Sequence, residues 1–309
     1  MPSSASGTED GAGPALRSGF VTVVGRPNVG KSTLVNRILG TKVTITSPRP
    51  NTTRRAVRGV LHRPGVQAVV VDTPGLHRPK SALGARLNEH VAEALDDIDV
   101  SIPVLDATAA VGPGDRLVLE RAAAGTPHAL VAVNKIDRVG RREVLERLGQ
   151  AQEALRRAGV ADDAGAGRHV EYFPLSARTG EGVDALVGAV LERLPPGPAY
   201  FPDDMVTDVP EAFWVAELVR EQLLAHVREE LPHAIACRVT EWEWPRVRVD
   251  IVVERESQKG MVIGKGGALL KEVGTAVRAQ LPPGAYLELR VKVEKHWQQR
   301  PDVIERLGY

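Results

Sequence analysis

The sequence predicts two domains, the first a doubly wound α/β sheet and the second a smaller α+β unit, joined by a proline-rich linker. Strand-like runs of β-branched residues alternate with helix-like runs from residue 19 to residue 194. Four prolines follow within residues 195–202, which predicts a semi-rigid connection. After residue 211 the order changes to a helix, two strands, a glycine-rich turn between helices, and a last strand. We therefore divide the chain into a leader (1–18), a first domain (19–194), a linker (195–210) and a second domain (211–309).

The spacing of apolar residues separates strands from helices in the first domain. Strands are expected over 20–24, 57–61, 66–71, 98–105, 131–133 and 170–175, and helices over 33–39, 83–95, 116–124, 141–158 and 183–194. Pro103 lies inside one predicted strand, and because proline cannot donate to a β-ladder we expect a local irregularity there. Residues 162–168 are rich in Gly, Ala and Asp and are expected to form a mobile loop.

The segment GRPNVGKS, residues 25–32, fits the phosphate-binding loop pattern G-x-x-x-x-G-K-[ST]. It lies between a predicted buried strand and a predicted helix, the context that this pattern requires. Its glycines let backbone N–H groups approach phosphates, and the helix N-terminus adds a favourable dipole. Lys31 is expected to reach the β- and γ-phosphates, and the Ser32 hydroxyl is expected to ligate Mg²⁺. The expected phosphate-binding residues are Gly25, Asn28, Val29, Gly30, Lys31, Ser32 and Thr33.

The base of the nucleotide is predicted from the segment NKID, which begins at Asn134. The Asp137 carboxylate can accept two hydrogen bonds from the N1–H and N2–H₂ edge of guanine, whereas adenine offers no such pair of donors. Lys135 can lay its aliphatic stem along the base, and Asn134 can connect this loop to the phosphate-binding loop. Ser176 and Ala177 follow the next predicted strand, and a backbone N–H near Ala177 is expected to donate to guanine O6. These residues favour GTP and GDP, and an ATPase is the less favoured alternative.

A third group of residues is expected to act on the γ-phosphate and Mg²⁺. Asp72 ends a buried strand-like run, and its carboxylate is expected to be a second Mg²⁺ ligand besides the Ser32 hydroxyl. The Gly75 N–H can contact the γ-phosphate. Thr53 lies in a polar segment before this strand and is expected to complete the metal site only with GTP bound; an ordinary polar loop is the alternative. Leu76 occupies the position where many GTPases carry a water-orienting glutamine, so slow intrinsic hydrolysis is expected. The expected catalytic residues are Lys31, Thr53, Asp72 and Gly75.

Composition restricts the remaining function classes. The net charge of +1 argues against a protein that coats nucleic acid generally, so any basic contact surface must be local. The single cysteine, Cys237, excludes a disulfide framework, fits a reducing cytoplasm and is expected to be buried and inert. No apolar run reaches the roughly 18 residues of a membrane span. Residues 1–18 lack the apolar core of a signal peptide and are expected to be disordered.

The second domain carries a turn of the form G-x-x-G, from Gly264 to Gly267. Helices are expected over 211–231 and 268–280, and strands over 234–241, 247–255 and 286–293. This order around the turn is typical of K-homology (KH) RNA-binding domains, in which the backbone clamps about four single-stranded nucleotides; a plain helix cap is the alternative. The expected RNA-binding residues are Val262 and Ile263 as an apolar floor, the turn residues Gly264, Lys265, Gly266 and Gly267, and Lys271.

Taken together, residues 19–309 resemble the Era family of bacterial GTPases. The matching segments, in order, are 25–32, 51–55, 72–77, 134–137, 176–178, the proline-rich linker, 262–267 and 306–309. The resemblance implies a Ras-like P-loop GTPase domain followed by a KH domain of the prokaryotic type (type II), with GTP or GDP and Mg²⁺ as ligands. It also implies binding to the 3′ end of 16S ribosomal RNA, a role in assembly of the 30S subunit, and a cytoplasmic location with peripheral association at the inner face of the cell membrane.

The leader, the loop 162–168 and Pro103 depart from the family pattern, but none of them touches a motif residue. The favoured function is a GTPase whose nucleotide state gates RNA binding. The alternative is a structural RNA-binding assembly factor that holds GTP but scarcely hydrolyses it. We expect a monomer that does not bind DNA, in which the linker separates the two sites. By analogy with related GTPases that lack the glutamine, Asn28 is expected to help hold K⁺ near the phosphates; a loop-shaping role for Asn28 is the equal alternative.

Overall fold

A computed structural model describes residues 16–49, 52–75, 81–93, 97–160 and 169–309 of the protein. The described part contains a six-stranded sheet and, after the linker, a three-stranded sheet, which confirms the predicted fold class of each domain. The predicted mobile loop 162–168, Leu76 and all but the last three residues of the predicted leader lie outside the described residues.

The first domain is built on a sheet in the order β2-β3-β1-β4-β5-β6. Its strands are β1 (Arg17–Gly25), β2 (Val57–Arg63), β3 (Val66–Asp72), β4 (Val100–Asp106), β5 (His128–Asn134) and β6 (His169–Pro174). Only the pairing of β2 with β3 is antiparallel among these strands. The parallel strands therefore all end at one edge of the sheet, where their loops can meet a ligand.

Helices cover both faces of this sheet. They are α1 (Lys31–Leu39), α2 (Ala82–Glu93), α3 (Pro113–Ala124), α4 (Arg141–Arg157) and α5 (Val183–Arg193). Along β5, Leu130 and Ala132 pack into one core with α1 and α5, while Ala129, Val131 and Val133 pack into a second core with α3 and α4. Alternate side chains of a strand point to opposite faces, so a continuous apolar run is what a doubly wound sheet requires.

Two details at the sheet differ from, or refine, the prediction. The first strand begins at Arg17, which pairs with Val66, so the boundary of the leader at residue 18 was placed too late. Pro103 does not interrupt β4 and pairs with Val24 on the β1 side. On the β5 side, however, the paired positions skip Ile102 and Pro103, which is the irregularity expected from a residue without an N–H.

The linker lies along the β2–β3 edge of the first domain. The Gln67 side-chain amide donates to the Phe201 carbonyl at 2.8 Å and accepts from the N–H groups of Tyr200 and Phe201. The N–H of Val60 donates to the Val206 carbonyl at 2.8 Å. The linker therefore covers the edge strand β2 and is fixed by contacts as well as by its prolines.

The second domain has a sheet in the order β7-β8-β9, with β7 antiparallel and β9 parallel to the central strand. Its elements are α6 (Glu211–His226), α7 (Leu231–Ala234), β7 (Ala236–Glu243), β8 (Arg246–Val253), α8 (Glu256–Ile263), α9 (Ala268–Arg278), β9 (Tyr286–Val293) and α10 (Pro301–Arg306). The predicted helix 211–231 stops at His226, where Val227 adopts an extended backbone, and α10 was not predicted. Cys237 is buried, as predicted, and its burial raises the pKa of the thiol. No helix in the described part of the chain is long and apolar enough to cross a membrane.

The two domains share a buried apolar cluster, which we call the interdomain cluster. Leu83 and Leu87 of α2 pack in it against residues of the second domain: Ala236, Val252, Trp297, Val303, Ile304, Leu307 and Tyr309. The two domains are therefore in direct contact, although the sequence analysis expected the linker to separate their two sites. Helix α10 and the residues after it supply most of this contact, and because they are too short to show helical periodicity, the sequence did not predict it.

Candidate functional site

A cavity of about 560 Å³ opens at the carboxyl edge of the six-stranded sheet. It brings together most residues that were predicted to bind a nucleotide. The lining includes Asn28, Gly30, Lys31, Ser32, Thr33, Thr53, Gly75, Asn134, Lys135, Asp137 and Ala177. Its size and its position at the strand ends fit a nucleoside phosphate.

The phosphate-binding loop has the backbone that its sequence predicts. Asn28 and Gly30 have φ of 66° and 100°, and asparagine and glycine are the residues that tolerate this left-handed region best. A Cβ at Gly30 would collide with the side-chain amide of Asn134. A Cβ at Gly75 would lie 2.8 Å from the backbone nitrogen of Pro27, so only glycine lets the segment after β3 approach the loop this closely.

Lys31 is buried in this loop, and its ammonium group donates to the carbonyls of Gly25 and Arg26 at 3.1 Å each. Burial lowers the pKa of Lys31 to about 8, while the nearby Asp72 carboxylate opposes this shift. A buried ammonium group whose hydrogen-bond acceptors are neutral carbonyls is stabilised by an anion that binds next to it. The environment of Lys31 therefore fits a phosphate ligand.

The predicted metal ligands Ser32, Thr53 and Asp72 come together. The Ser32 and Thr53 hydroxyls share a hydrogen bond of 2.9 Å, and the Thr53 hydroxyl donates to Asp72 Oδ2 at 3.1 Å. Thr44 donates to the same oxygen at 2.9 Å. Asp72 is fully buried, and its other oxygen, Oδ1, has no hydrogen-bond partner among the described residues.

This group of oxygens fits Mg²⁺. Burial raises the pKa of Asp72, which indicates that the surroundings supply too little positive charge to stabilise the ionised carboxylate fully. Mg²⁺ prefers hydroxyl and carboxylate oxygens of this kind and usually keeps several waters. Thr44 was missed by sequence reasoning, because a single threonine in a loop carries no pattern until the fold places it against Asp72.

The base-recognition residues are connected by hydrogen bonds across three loops. The Asn134 side-chain amide donates to the Val29 carbonyl at 2.8 Å, which confirms that it connects this loop to the phosphate-binding loop. The Lys135 ammonium contacts the Asn28 carbonyl at 2.6 Å and the Asp106 carboxylate at 2.5 Å, so its stem is held along the cavity wall.

Asp137 accepts from the Ser176 hydroxyl at 2.7 Å and from the Arg178 guanidinium at 2.7 Å. The Ser176 hydrogen bond first, and then Arg178, hold the pKa of Asp137 below its ordinary value, so the carboxylate is ionised and able to accept hydrogen bonds. The N–H of Ala177 itself donates to Asn134 Oδ1 at 2.9 Å, and donation to guanine O6 by a backbone N–H near Ala177 stays a prediction. Arg178 is a neighbour of Asp137 that the prediction did not include.

The G-x-x-G turn lies between α8 and α9 and consists of a short 3₁₀ segment, Lys265–Gly267. Gly264, Gly266 and Gly267 have φ of 74°, 60° and 80°, so the turn depends on glycine. A Cβ at Gly264 would lie 2.9 Å from Leu269. Lys265 is exposed at the turn, and Lys271 is exposed on α9.

The predicted apolar floor of this site requires a correction. Val262 is 0% exposed and packs in the core of the second domain, so it cannot touch a base. Ile263 is only partly buried, while Met261 is 62% exposed next to the turn. The sequence run Met261–Val262–Ile263 is apolar throughout, and only the phase of helix α8 decides which of these side chains faces solvent.

Both domains match families of known proteins. Residues 20–135 match the family model described as a 50S ribosome-binding GTPase, and residues 230–298 match the KH domain model. A GTPase Era from Mycobacterium avium is 48% identical over 307 residues, covering 95% of this chain and 99% of that relative. A GTPase Era from Mycolicibacterium smegmatis is 45% identical with the same coverage.

Two solved structures have the same two-domain fold. A crystal structure of Era in complex with MgGDPNP and nucleotides 1506–1542 of 16S ribosomal RNA is 36% identical, with a TM-score of 0.86 over 95% of this chain and 99% of that chain. A crystal structure of an Aquifex aeolicus Era variant bound to GDP·AlF₄⁻ matches with the same identity, TM-score and coverage.

Proposed function

Because the chain belongs to the GTPase Era family, we propose that it binds GTP with Mg²⁺, hydrolyses it to GDP and phosphate, and binds the 3′ end of 16S ribosomal RNA through its KH domain. The observation that carries this proposal is the combination, in one chain, of a cavity lined by the residues expected to bind phosphate, metal and guanine and a G-x-x-G turn of KH type. The structure of a relative with MgGDPNP and 16S RNA supports the same pair of ligands. We further propose that the protein assists assembly of the 30S subunit.

In the proposed reaction, Lys31 holds the β- and γ-phosphates, and Ser32, Thr53 and Asp72 hold Mg²⁺, which neutralises charge on the phosphates. Gly75 lines the cavity, and its N–H is proposed to donate to the γ-phosphate. Leu76 cannot hydrogen-bond to a water, so the attacking water must be oriented by other groups and intrinsic turnover is slow. The alternative, an assembly factor that scarcely hydrolyses GTP, rests on this same leucine.

Turnover of GTP, measured with and without an oligonucleotide of the 16S 3′ end, tests the proposal. The GTPase function predicts slow release of phosphate that the oligonucleotide accelerates. Tight binding of GTP and of the oligonucleotide, with no turnover in either condition, would favour the structural factor instead.

Asp137→Asn is expected to weaken GTP binding by about a hundredfold, because a charged acceptor of two hydrogen bonds from guanine is replaced by a neutral amide with one acceptor oxygen. The same change is expected to improve binding of xanthosine triphosphate, whose C2 carbonyl can accept from an amide. Competition between the two nucleotides in the wild-type protein and the variant measures this change. Equal affinity of the wild-type protein for ATP and GTP would show that Asp137 does not select the base.

We also propose that K⁺ supports hydrolysis near Asn28, a residue of the phosphate-binding loop that lines the cavity. Replacing K⁺ with Na⁺ at equal ionic strength is then expected to slow GTP hydrolysis several-fold, and Asn28→Ala is expected to remove the difference. Equal rates in the two salts, or a difference that persists in Asn28→Ala, would assign Asn28 to loop shape alone.

The remaining proposals concern where the protein acts. We propose a cytoplasmic monomer that binds the 30S subunit, associates peripherally with the inner face of the cell membrane, and does not bind DNA. Co-sedimentation with 30S subunits and with membrane vesicles, each compared with the free protein, tests the two associations separately.

A further inference from the structure

The second domain holds the segment that contains Thr53. Arg220 on α6 is 0% exposed, and its guanidinium donates to the carbonyl of Thr52. On the other side of Thr53, the Arg54 guanidinium donates to the carbonyls of Ile235 at 2.7 Å and His233 at 3.1 Å, both in the second domain. Two arginine contacts, one on each flanking residue, therefore fix the backbone around Thr53.

Both arginines are themselves held firmly. Glu217, one turn earlier on α6, accepts from Arg220 Nε at 2.8 Å and from Nη2 at 2.5 Å. The Arg54 guanidinium lies over the rings of Trp297 and Tyr309, 5.5 and 5.4 Å from their centroids. Planar guanidinium groups with several donors suit such fixed positions, because less freedom is lost per hydrogen bond than with lysine.

The position of Thr53 depends on this backbone. Its hydroxyl lies 2.9 Å from the Ser32 hydroxyl and 3.1 Å from Asp72 Oδ2, although residues 52–55 form no helix or strand that would hold it there. If nothing else held this segment, Thr53 would have to be ordered when GTP binds, and that ordering would cost conformational entropy.

We propose that Arg220 and Arg54 are positioning residues for Thr53, so that the KH domain completes the site for Mg²⁺ and the triphosphate. The inference rests on the proposed GTPase function and deepens it. Arg220 lies on α6, which packs against α9, the helix that follows the G-x-x-G turn, within one apolar core. Helix α6 therefore contacts Thr52, next to Thr53, on one side and helix α9, which follows the G-x-x-G turn, on the other.

The test uses the full chain with Glu217→Gln/Arg220→Met, which removes both buried charges together and leaves neither unpaired. Affinities for fluorescent derivatives of GDPNP and GDP are measured in the presence of Mg²⁺. We expect GDPNP affinity to fall about tenfold, the effect of losing a charged hydrogen bond, and GDP affinity to be unchanged, since Thr53 acts only in the triphosphate state. Lys42→Met is the matched control, because Lys42 contacts Glu221 of α6 at 2.5 Å and Gln280 at 2.8 Å without touching residues 52–54.

A double-mutant cycle with Thr53→Ala decides whether the effect passes through Thr53. We expect the α6 double variant to cause no further loss of GDPNP affinity once Thr53 is alanine. Equal losses for GDPNP and GDP, unchanged GDPNP affinity, or losses that multiply in the Thr53→Ala background would each overturn the proposal.

If thermal melting shows that the α6 variant does not fold, Arg54→Lys replaces it and is expected to give the same selective loss to a smaller extent. GTP turnover of the wild-type protein is measured separately, so failure of the proposed function is distinguishable from failure of this inference.

Discussion

Lys31→Ala is expected to abolish GTP turnover and to weaken nucleotide binding by about a hundredfold or more, because truncating one partner of a buried charge pair costs several kcal/mol. The ammonium group is buried, donates to two loop carbonyls, and has a pKa lowered to about 8 by burial. We therefore expect its main role to be the neutralisation of a phosphate ligand.

Equilibrium titration with a fluorescent GDP derivative, together with phosphate release from GTP, measures both effects. The control is RNA binding by the same variant, which is expected to persist at the level of the nucleotide-free wild-type protein. Nucleotide affinity within a few-fold of wild type would show that Lys31 does not contact the phosphates.

Gly264→Asp/Gly267→Asp is expected to abolish binding of the 16S 3′-end oligonucleotide. Both glycines have φ between 74° and 80°, a region that aspartate adopts only with strain, and a side chain at Gly264 would meet Leu269 at 2.9 Å. The new side chains block backbone approach and place negative charge where phosphates must lie.

Because this change also strains the turn, a milder variant accompanies it. Lys265→Ala keeps every glycine and is expected to weaken binding and to reduce the salt dependence by about one phosphate contact. Gly65→Asp, in the β2–β3 turn of the first domain, has a similar φ of 73° with nothing near its Cβ position, and controls for strain alone. Tight, unchanged oligonucleotide binding by the double variant would defeat the assignment of the turn as the RNA site.

The nucleotide site could be predicted from the sequence because its residues lie in short, contiguous segments with fixed local geometry. The loop around Lys31 and the segment from Asn134 to Asp137 each combine strand, turn and side chain within a few residues. Thr44 and Arg178 have no such signal, because they reach Asp72 and Asp137 only through the packing of separate loops.

The relation between the domains could not be predicted for the same reason. A proline-rich linker suggested separated sites, but contacts such as Arg54 with the Ile235 carbonyl connect residues far apart in sequence. The buried position of Val262 was also missed, since an apolar run alone does not give the rotation of a short helix. The expectation that nucleotide state gates RNA binding stays a prediction, and the contact between Arg220 and the Thr52 carbonyl is the route that we propose for it.

The most direct test of this account is the affinity of the full chain for a 16S 3′-end oligonucleotide when it is loaded with GDPNP and Mg²⁺ and when it is loaded with GDP. If the two sites are coupled through residues 52–54 and α6, the oligonucleotide binds the GDPNP form at least about fivefold more tightly, and it raises the preference for GDPNP over GDP by the same factor. Equal oligonucleotide affinity in the two nucleotide states would contradict the account.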